Sequence, residues 1–141
     1  MKIEVYSDGS GTTAKTPGGY GYVVLVDGKD VYEGSGHIPF ATNNDCELQG
    51  AIEGLDSLHY HFEPEELTDV WLVSDSEIVL GWASGERAFK QEDKILKYQQ
   101  LRNMMKEYKA KTRWVKGHSG EPFQERCDKL ANAARLGKEI V

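Results

Sequence analysis

The hydrophobic period of this chain changes along its length, and the order of those changes restricts the folds open to it. From Lys2 to Asp8 apolar and polar residues alternate, with Ile3 and Val5 on one face, as in a half-buried strand. Tyr20 to Val26 is aromatic and β-branched, Asp27-Gly28 is a hairpin turn signal, and Asp30 to Gly36 returns as a third strand. The period then lengthens. Leu48, Ala51, Ile52, Leu55 and Leu58 predict a helix from about Asp45 to Tyr60, with Asn44-x-x-Glu47 as a capping box at its front. Val70 to Ser74 reads as a buried strand, and a short helix from Ser76 to Ala83 stops at Gly85. Ile95, Tyr98, Leu101, Met105 and Tyr108 mark an amphipathic helix over Asp93 to Tyr108, and Thr112 to Val115 is a last strand. Pro122 suits the first turn of a final helix on which Cys127, Leu130, Ala131 and Ala134 share a face. The order β-β-β-α-β-α-α-β-α predicts an α/β fold: an antiparallel meander continued by βαβ units into a five-stranded mixed sheet.

A chain of 141 residues suits one domain, residues 1–141, and 39% apolar residues suffice for a core. No apolar run approaches the roughly 20 residues of a membrane span, and the first residues lack a signal peptide's apolar stretch, so a cytoplasmic monomer is expected. Cys46 and Cys127 have neither metal-ligand spacing nor a disulfide framework and read as reduced, buried thiols. The net charge of −6 argues against a polyanionic partner, but its distribution argues the other way. Arg87 to Lys116 carries ten basic and three acidic residues, a local balance of +7, while the rest of the chain carries −13. Such a segment is either a solvated helix face or a place to hold nucleic acid.

Four carboxylates fall where an open sheet presents ligand sites. Asp8 ends the first strand and precedes Gly-Ser-Gly, Glu47 begins the first helix, Asp75 ends the fourth strand, and Asp128 sits in the final helix. Gathered together they would repel unless cations joined them, and hard oxygen donors suit Mg²⁺ or Mn²⁺. Two such ions about 3.5–4 Å apart would clamp a scissile phosphate. Each residue also has a plainer reading. Asp8 can start a turn with Gly9, Glu47 can be half of the capping box, Asp75 can serve a helix start at Ser74-x-x-Glu77, and Asp128 can be a surface residue. Spacing alone does not decide whether the four converge.

Longer motifs bear on that choice. Tyr6-Ser-Asp8-Gly-Ser10-Gly, Thr42-Asn43-Asn44-Asp-Cys-Glu47-Leu, Val73-Ser-Asp75-Ser76, and Trp114-Val-Lys-Gly117-His118-Ser-Gly120 continuing to Glu125-Arg-Cys-Asp128-Lys-Leu-Ala131 stand in this order. Together, from about Ile3 to Ala134, the chain resembles a type 1 ribonuclease H. The resemblance implies a ribonuclease H-like sheet with helices packed on both faces, and an endonuclease that cuts the RNA strand of RNA–DNA hybrids to 5′-phosphate and 3′-hydroxyl ends. It implies Asp8, Glu47, Asp75 and Asp128 as ligands of two Mg²⁺ ions, replaceable by Mn²⁺, one activating the attacking water and one stabilising the leaving oxygen. It implies His118, in a glycine-flanked loop, as a group that assists proton transfer or product release, since an imidazole titrates near neutrality. A test for ribose is needed to tell RNA from DNA. The resemblance assigns it to Asn43, Asn44 and the backbone around Gly9, Ser10 and Gly11, with Thr42 on a DNA-strand phosphate. His37, His59 and His61 have no such setting and are expected to be structural or exposed.

The chain departs from the family pattern in two places. Gln124 stands where the family usually has Asn, which puts the placement of its amide in question. The interval from Asp75 to His118 is short, with one main helix and no Trp-rich basic insertion of the kind many bacterial members use as a handle for the hybrid. Lys90, Lys94, Lys97, Lys106, Lys109 and Lys111 are expected to substitute in part, and Trp82 to pack in the core. Affinity resting on few phosphate contacts should be weaker and more salt-sensitive than in handle-bearing relatives. A titration of activity against added salt tests this, and a shallow loss would count against it.

Overall fold

The computed structural model describes residues 1–138 and builds the expected order of elements, except that the first expected helix is split into two. Strands β1 (Ile3–Ser10), β2 (Gly18–Val26) and β3 (Lys29–Ile38) form an antiparallel meander. Helices α1 (Asn43–Asp56) and α2 (Leu58–His61) lead to β4 (Val70–Ser74), and α3 (Glu77–Ser84) and α4 (Ile95–Glu107) lead to β5 (Lys111–Trp114). Helix α5 (Pro122–Arg135) ends the described fold. The sheet order is β3-β2-β1-β4-β5, with β4 parallel to both β1 and β5. The hairpin at Asp27-Gly28 is made as expected, with φ of 49° and 84°, the left-handed pair that a two-residue turn needs to match strand twist.

Helices cover both faces of the sheet. On one, α1, α3 and α4 bury Leu48, Ile52, Leu55, Val79, Trp82, Leu101 and Met105 against Ile3, Val5, Val24 and Leu72. On the other, Cys127 and Leu130 of α5 pack with Tyr6, Val23, Leu25 and Val73. Both cysteines are free and buried, as expected. Helix α5 crosses β2 so closely that a Cβ on Gly21 would lie 2.7 Å from the Cys127 carbonyl oxygen. The observed strands outrun the expected ones at glycines 9, 18 and 19, which carry no apolar period: Gly9 and Gly19 lie in the β1–β2 ladder and Gly18 in the β2–β3 ladder.

The front of α1 differs from expectation. Its N-cap is Thr42, not Asn44: Thr42 Oγ1 accepts from Asp45 N at 3.2 Å, and Thr42 N donates to Asp45 Oδ2 at 3.0 Å. The capping box is therefore Thr42 with Asp45, and Glu47 is released from it. A similar shift occurs at α3, where Ser76 is the N-cap and its hydroxyl accepts from Val79 N at 3.1 Å. The first helix also ends early, at Asp56, because the Ser57 hydroxyl turns back to the Gly54 carbonyl at 2.6 Å and bonds Tyr32 Oη at 2.8 Å. Between α3 and α4 lie only ten residues, with one 3₁₀ turn at Glu92–Lys94, so no second basic helix is inserted there. Among the described residues no helix is long and apolar enough to cross a membrane.

Trp82 is 6% exposed and meets Phe89 edge-on at 5.0 Å, as a core residue does. Trp82→Ala should cost about 3–5 kcal/mol of stability. Urea unfolding measures it, and a cost below about 1 kcal/mol would mean that the indole is not part of the core.

Candidate active site

The parallel pairing of β1 with β4 stops at Tyr6 opposite Val73. Beyond that register β1 continues only against β2, so Asp8 stands at the mouth opened between β1 and β4, and Asp75 directly follows the last residue of β4. Asp8 is thus not the end of its strand, as the alternation suggests, but it does lie past the end of the parallel ladder. Glu47, in the second turn of α1, reaches the same mouth from above. Oxygens of Asp8, Glu47 and Asp75 all lie within 4.8 Å of one another. Asp128 of α5 does not join this tight group. It lines the same open cleft, of about 700 Å³, together with Ser10, Asn43, Asn44 and His118.

The electrostatics of this group are unfavourable when it stands alone. Burial, the charge of Asp75 and, last, that of Asp128 push the Asp8 carboxyl up to about 7, although the Gly9 N–H donates to its Oδ1 at 2.9 Å. Burial and the adjacent Asp8 push Glu47 well above the usual carboxylate range. Burial also raises Asp75, against the opposing pull of its own backbone N–H and of His118. Glu47 is 5% exposed, and its Oε2 has no hydrogen-bond partner. A buried acceptor without a donor is costly. An all-oxygen donor set, mutual repulsion and an orphaned carboxylate oxygen fit a hard divalent cation.

The His118 loop is held against this group from the β5 side. Val115 N donates to Ser74 O at 3.0 Å, Trp114 Nε1 donates to Asp75 O at 3.1 Å, and the Ser119 hydroxyl donates to Lys116 O at 2.6 Å. A Cβ on Gly117 would fall 2.7 Å from Asp75 Oδ2, so any larger residue there would displace the Asp75 carboxylate. His118 itself takes φ 53°, a left-handed conformation that is uncommon outside glycine. Gln124 is placed firmly: it is buried, and its Nε2 donates to the Ser7 carbonyl, beside Asp8, at 3.1 Å. The longer stem is accommodated by reaching the backbone of β1.

The expected ribose-reading residues divide. Asn43 and Asn44 occupy the first turn of α1 and line the cleft, and Asn43 Oδ1 accepts from Gly11 N at 3.3 Å. The Ser10 hydroxyl is already engaged by α5, donating to Asn132 Oδ1 at 2.6 Å and accepting from Arg135 Nε at 2.9 Å. Thr42 and Gly11 flank the cleft without lining it. Sequence reasoning missed Ser76, Glu77, Ile78 and Trp114 as lining residues, and Asn132 and Arg135 as partners of Ser10. The signal for the last two is their spacing with Asp128, which puts 128, 132 and 135 on one face of α5. His59 and His61 lie in a separate hollow of about 330 Å³ at the far end of α1 and α4, and His37 bonds Ala134 O at 2.9 Å, so none of the three belongs to this cleft.

The raised carboxyls predict how the metal-free protein responds to pH. An unfolded aspartate titrates near 4. Between about pH 4 and 7 the unfolded chain has released a proton that folded Asp8 still holds, so stability falls as pH rises through that window. Asp8→Asn removes this contribution. In EDTA at pH 8 it should be about 1–3 kcal/mol more stable than wild type, and near pH 4 the gain should vanish. Urea unfolding at the two pH values checks this, and a variant less stable than wild type at pH 8 would contradict it.

The comparisons with known proteins agree with this geometry. The RNase H family model matches residues 1–135. A ribonuclease H from Aeromonas hydrophila is 36% identical over 148 residues, covering 99% of this chain and 94% of that relative. The N-terminal RNase H domain of Rv2228c from Mycobacterium tuberculosis superposes with a TM-score of 0.81 at 27% identity, over 96% of this chain and 94% of that one. LC11-RNase H1, solved in complex with an RNA/DNA hybrid, shares the fold with a TM-score of 0.80 at 24% identity, over 96% and 98% of the two chains. With a family model matched across nearly the whole length and a relative of this identity, the chain belongs to the RNase H family of nucleases.

Proposed function

We propose that this chain is an endonuclease that hydrolyses the RNA strand of RNA–DNA hybrids, leaving 5′-phosphate and 3′-hydroxyl ends, with Mg²⁺ as its cofactor and Mn²⁺ as a substitute. The observation that carries the reading is the close group of Asp8, Glu47 and Asp75, with an unpartnered buried oxygen on Glu47. Asp8, Glu47, Asp75 and Asp128 would hold the cations. Bound divalent ions would supply Lewis-acid activation of water and charge neutralisation at the departing 3′ oxygen.

The remaining work falls to the protein's own groups. Asp8 and Asp75 face each other across the gap between two strands, so the sheet sets their separation before substrate arrives. His118, on a loop bonded to β4 and Asp75, is the group that moves a proton to or from the reacting phosphate oxygens. Asn43 and Asn44 line the cleft and would bond the ribose 2′-hydroxyl, the group that distinguishes RNA. The Thr42 hydroxyl, which accepts from Asp45 N, keeps its own proton for a DNA-strand phosphate. That LC11-RNase H1 was solved with an RNA/DNA hybrid supports this class of substrate. The reading extends to a monomer of one domain acting in the cytoplasm, a reducing compartment that keeps Cys46 and Cys127 as thiols.

The test is incubation with a labelled RNA–DNA hybrid in Mg²⁺ and in EDTA, beside single-stranded RNA, duplex RNA and duplex DNA. Only the hybrid's RNA strand should be cut, only with metal, and Asp75→Asn should lose at least about 10³-fold in rate. An uncut hybrid in both Mg²⁺ and Mn²⁺ would remove the enzyme claim. Cleavage of duplex DNA instead would select a DNA nuclease on the same fold, and tight binding without turnover a non-catalytic hybrid-binding module. His118→Ala should lower kcat about 10- to 100-fold with little change in KM. A change in KM alone would make His118 a binding group.

A further inference from the structure

The edge expected to meet the hybrid contains a carboxylate. Asp45 follows Asn43 and Asn44 directly, in the first turn of α1. Its place there is locally sound, because it completes the capping box with Thr42 and its charge suits a helix N-terminus. Beside a polyanion the same charge is a liability. The structure resolves this conflict through one residue. Lys94, at the start of α4, pairs its Nζ with Asp45 Oδ1, while Asp45 Oδ2 accepts the Thr42 N–H at 3.0 Å. The side chains are only 26% and 10% exposed, which makes this, in combined exposure, the most enclosed ion pair among the described residues.

The Lys94 end of the pair is itself held. The 3₁₀ turn Glu92–Lys94 is closed by Lys94 N donating to Gln91 O at 3.0 Å, and it runs straight into α4. This turn lies in the ten-residue connection after α3, where no basic insertion is present. From Lys94 the links run through Asp45 to the Thr42 backbone, and through neighbouring Asn43 Oδ1 to Gly11 N. One lysine thus ties the α3–α4 connection to both loops that border the hybrid-facing edge.

We propose that Lys94 is a positioning residue for hybrid binding: it neutralises and anchors Asp45, so that the Thr42–Asn44 edge accepts a polyanion. Lys94 is therefore not one of the free lysines that take the place of a basic handle. It does its work within the protein, by cancelling a charge that would repel the substrate. The proposal rests on the reading of the chain as a hybrid-cutting enzyme.

The test compares wild type, Lys94→Met, Lys94→Arg, Asp45→Asn and the double variant Lys94→Met with Asp45→Asn. Each is assayed for steady-state hybrid cleavage at low and raised salt, and for hybrid binding by fluorescence anisotropy in EDTA. Asp45→Asn keeps a side-chain oxygen for the Thr42 N–H and removes only the charge. Lys94→Met should raise KM about 5- to 10-fold, leave kcat within about 2-fold, and show a penalty that shrinks as salt screens the exposed carboxylate. Lys94→Arg should stay close to wild type. The double variant should return KM to within about 2-fold of wild type, a coupling that loss of a phosphate-binding lysine would not produce. An unchanged KM in Lys94→Met overturns the proposal. So does a double variant as weak as the single one, which would make Lys94 a direct phosphate ligand. A wild-type protein that leaves the hybrid uncut instead defeats the functional reading, and the binding measurements then judge the pair alone by the same criteria.

Discussion

Three carboxyl groups with oxygens inside 4.8 Å of one another make a demand that the rest of the molecule must meet. If ionised, each pair would repel by about 3 kcal/mol at an effective dielectric of 20. No arrangement of flexible loops would hold them there. The fold does so with its most rigid parts: Asp8 on the central strand, Asp75 at the end of the adjacent parallel strand, and Glu47 on a helix packed over both. Burying the group raises the cost and also sharpens its use, because the repulsion that destabilises the metal-free protein favours binding of a divalent cation.

The N-terminus of α1 is where structure and recognition meet. Thr42 and Asp45 cap the helix, which leaves Glu47 free for the acidic group and Asn43 and Asn44 free for the cleft. A capping box at Asn44 and Glu47 would have consumed one of each. With the two-residue offset, the same short stretch supplies a helix start, two cleft-lining asparagines and a carboxylate that the cap does not consume. Lys94 neutralises the acidic cap at this edge of the cleft.

Charge on this chain is best judged by position and partner. The basic segment from Arg87 to Lys116 stands out against a net charge of −6. Yet Lys94, Lys111 and Arg113 face Asp45, Asp69 and Glu4, and Arg102 donates to the Ala83 carbonyl. Part of the segment's charge is thus spent on holding the molecule together, and less remains for phosphates than a count of lysines suggests.

The order of hydrophobic periods was enough to establish the elements and the mixed sheet, because burial of one face imposes its period on the residues themselves. The residues that the fold brings to one cleft, Asp8, Glu47, Asp75, His118 and Asp128, were legible as candidates, since the motifs name them by side chain. Other features left no such mark. The true cap of α1 was ambiguous because Thr42, Asn43, Asn44 and Asp45 are all good capping residues, and only the path of the incoming chain selects one. The extra strand residues at Gly9, Gly18 and Gly19 were invisible because glycine has no side chain with which to show a period. The tight grouping of three carboxylates with Asp128 set apart, the seating of Gln124 on Ser7, and the pairing of Lys94 with Asp45 join residues 28 to 117 positions apart. Such contacts depend on how sheet and helices are laid over one another in space, and local sequence carries no record of that.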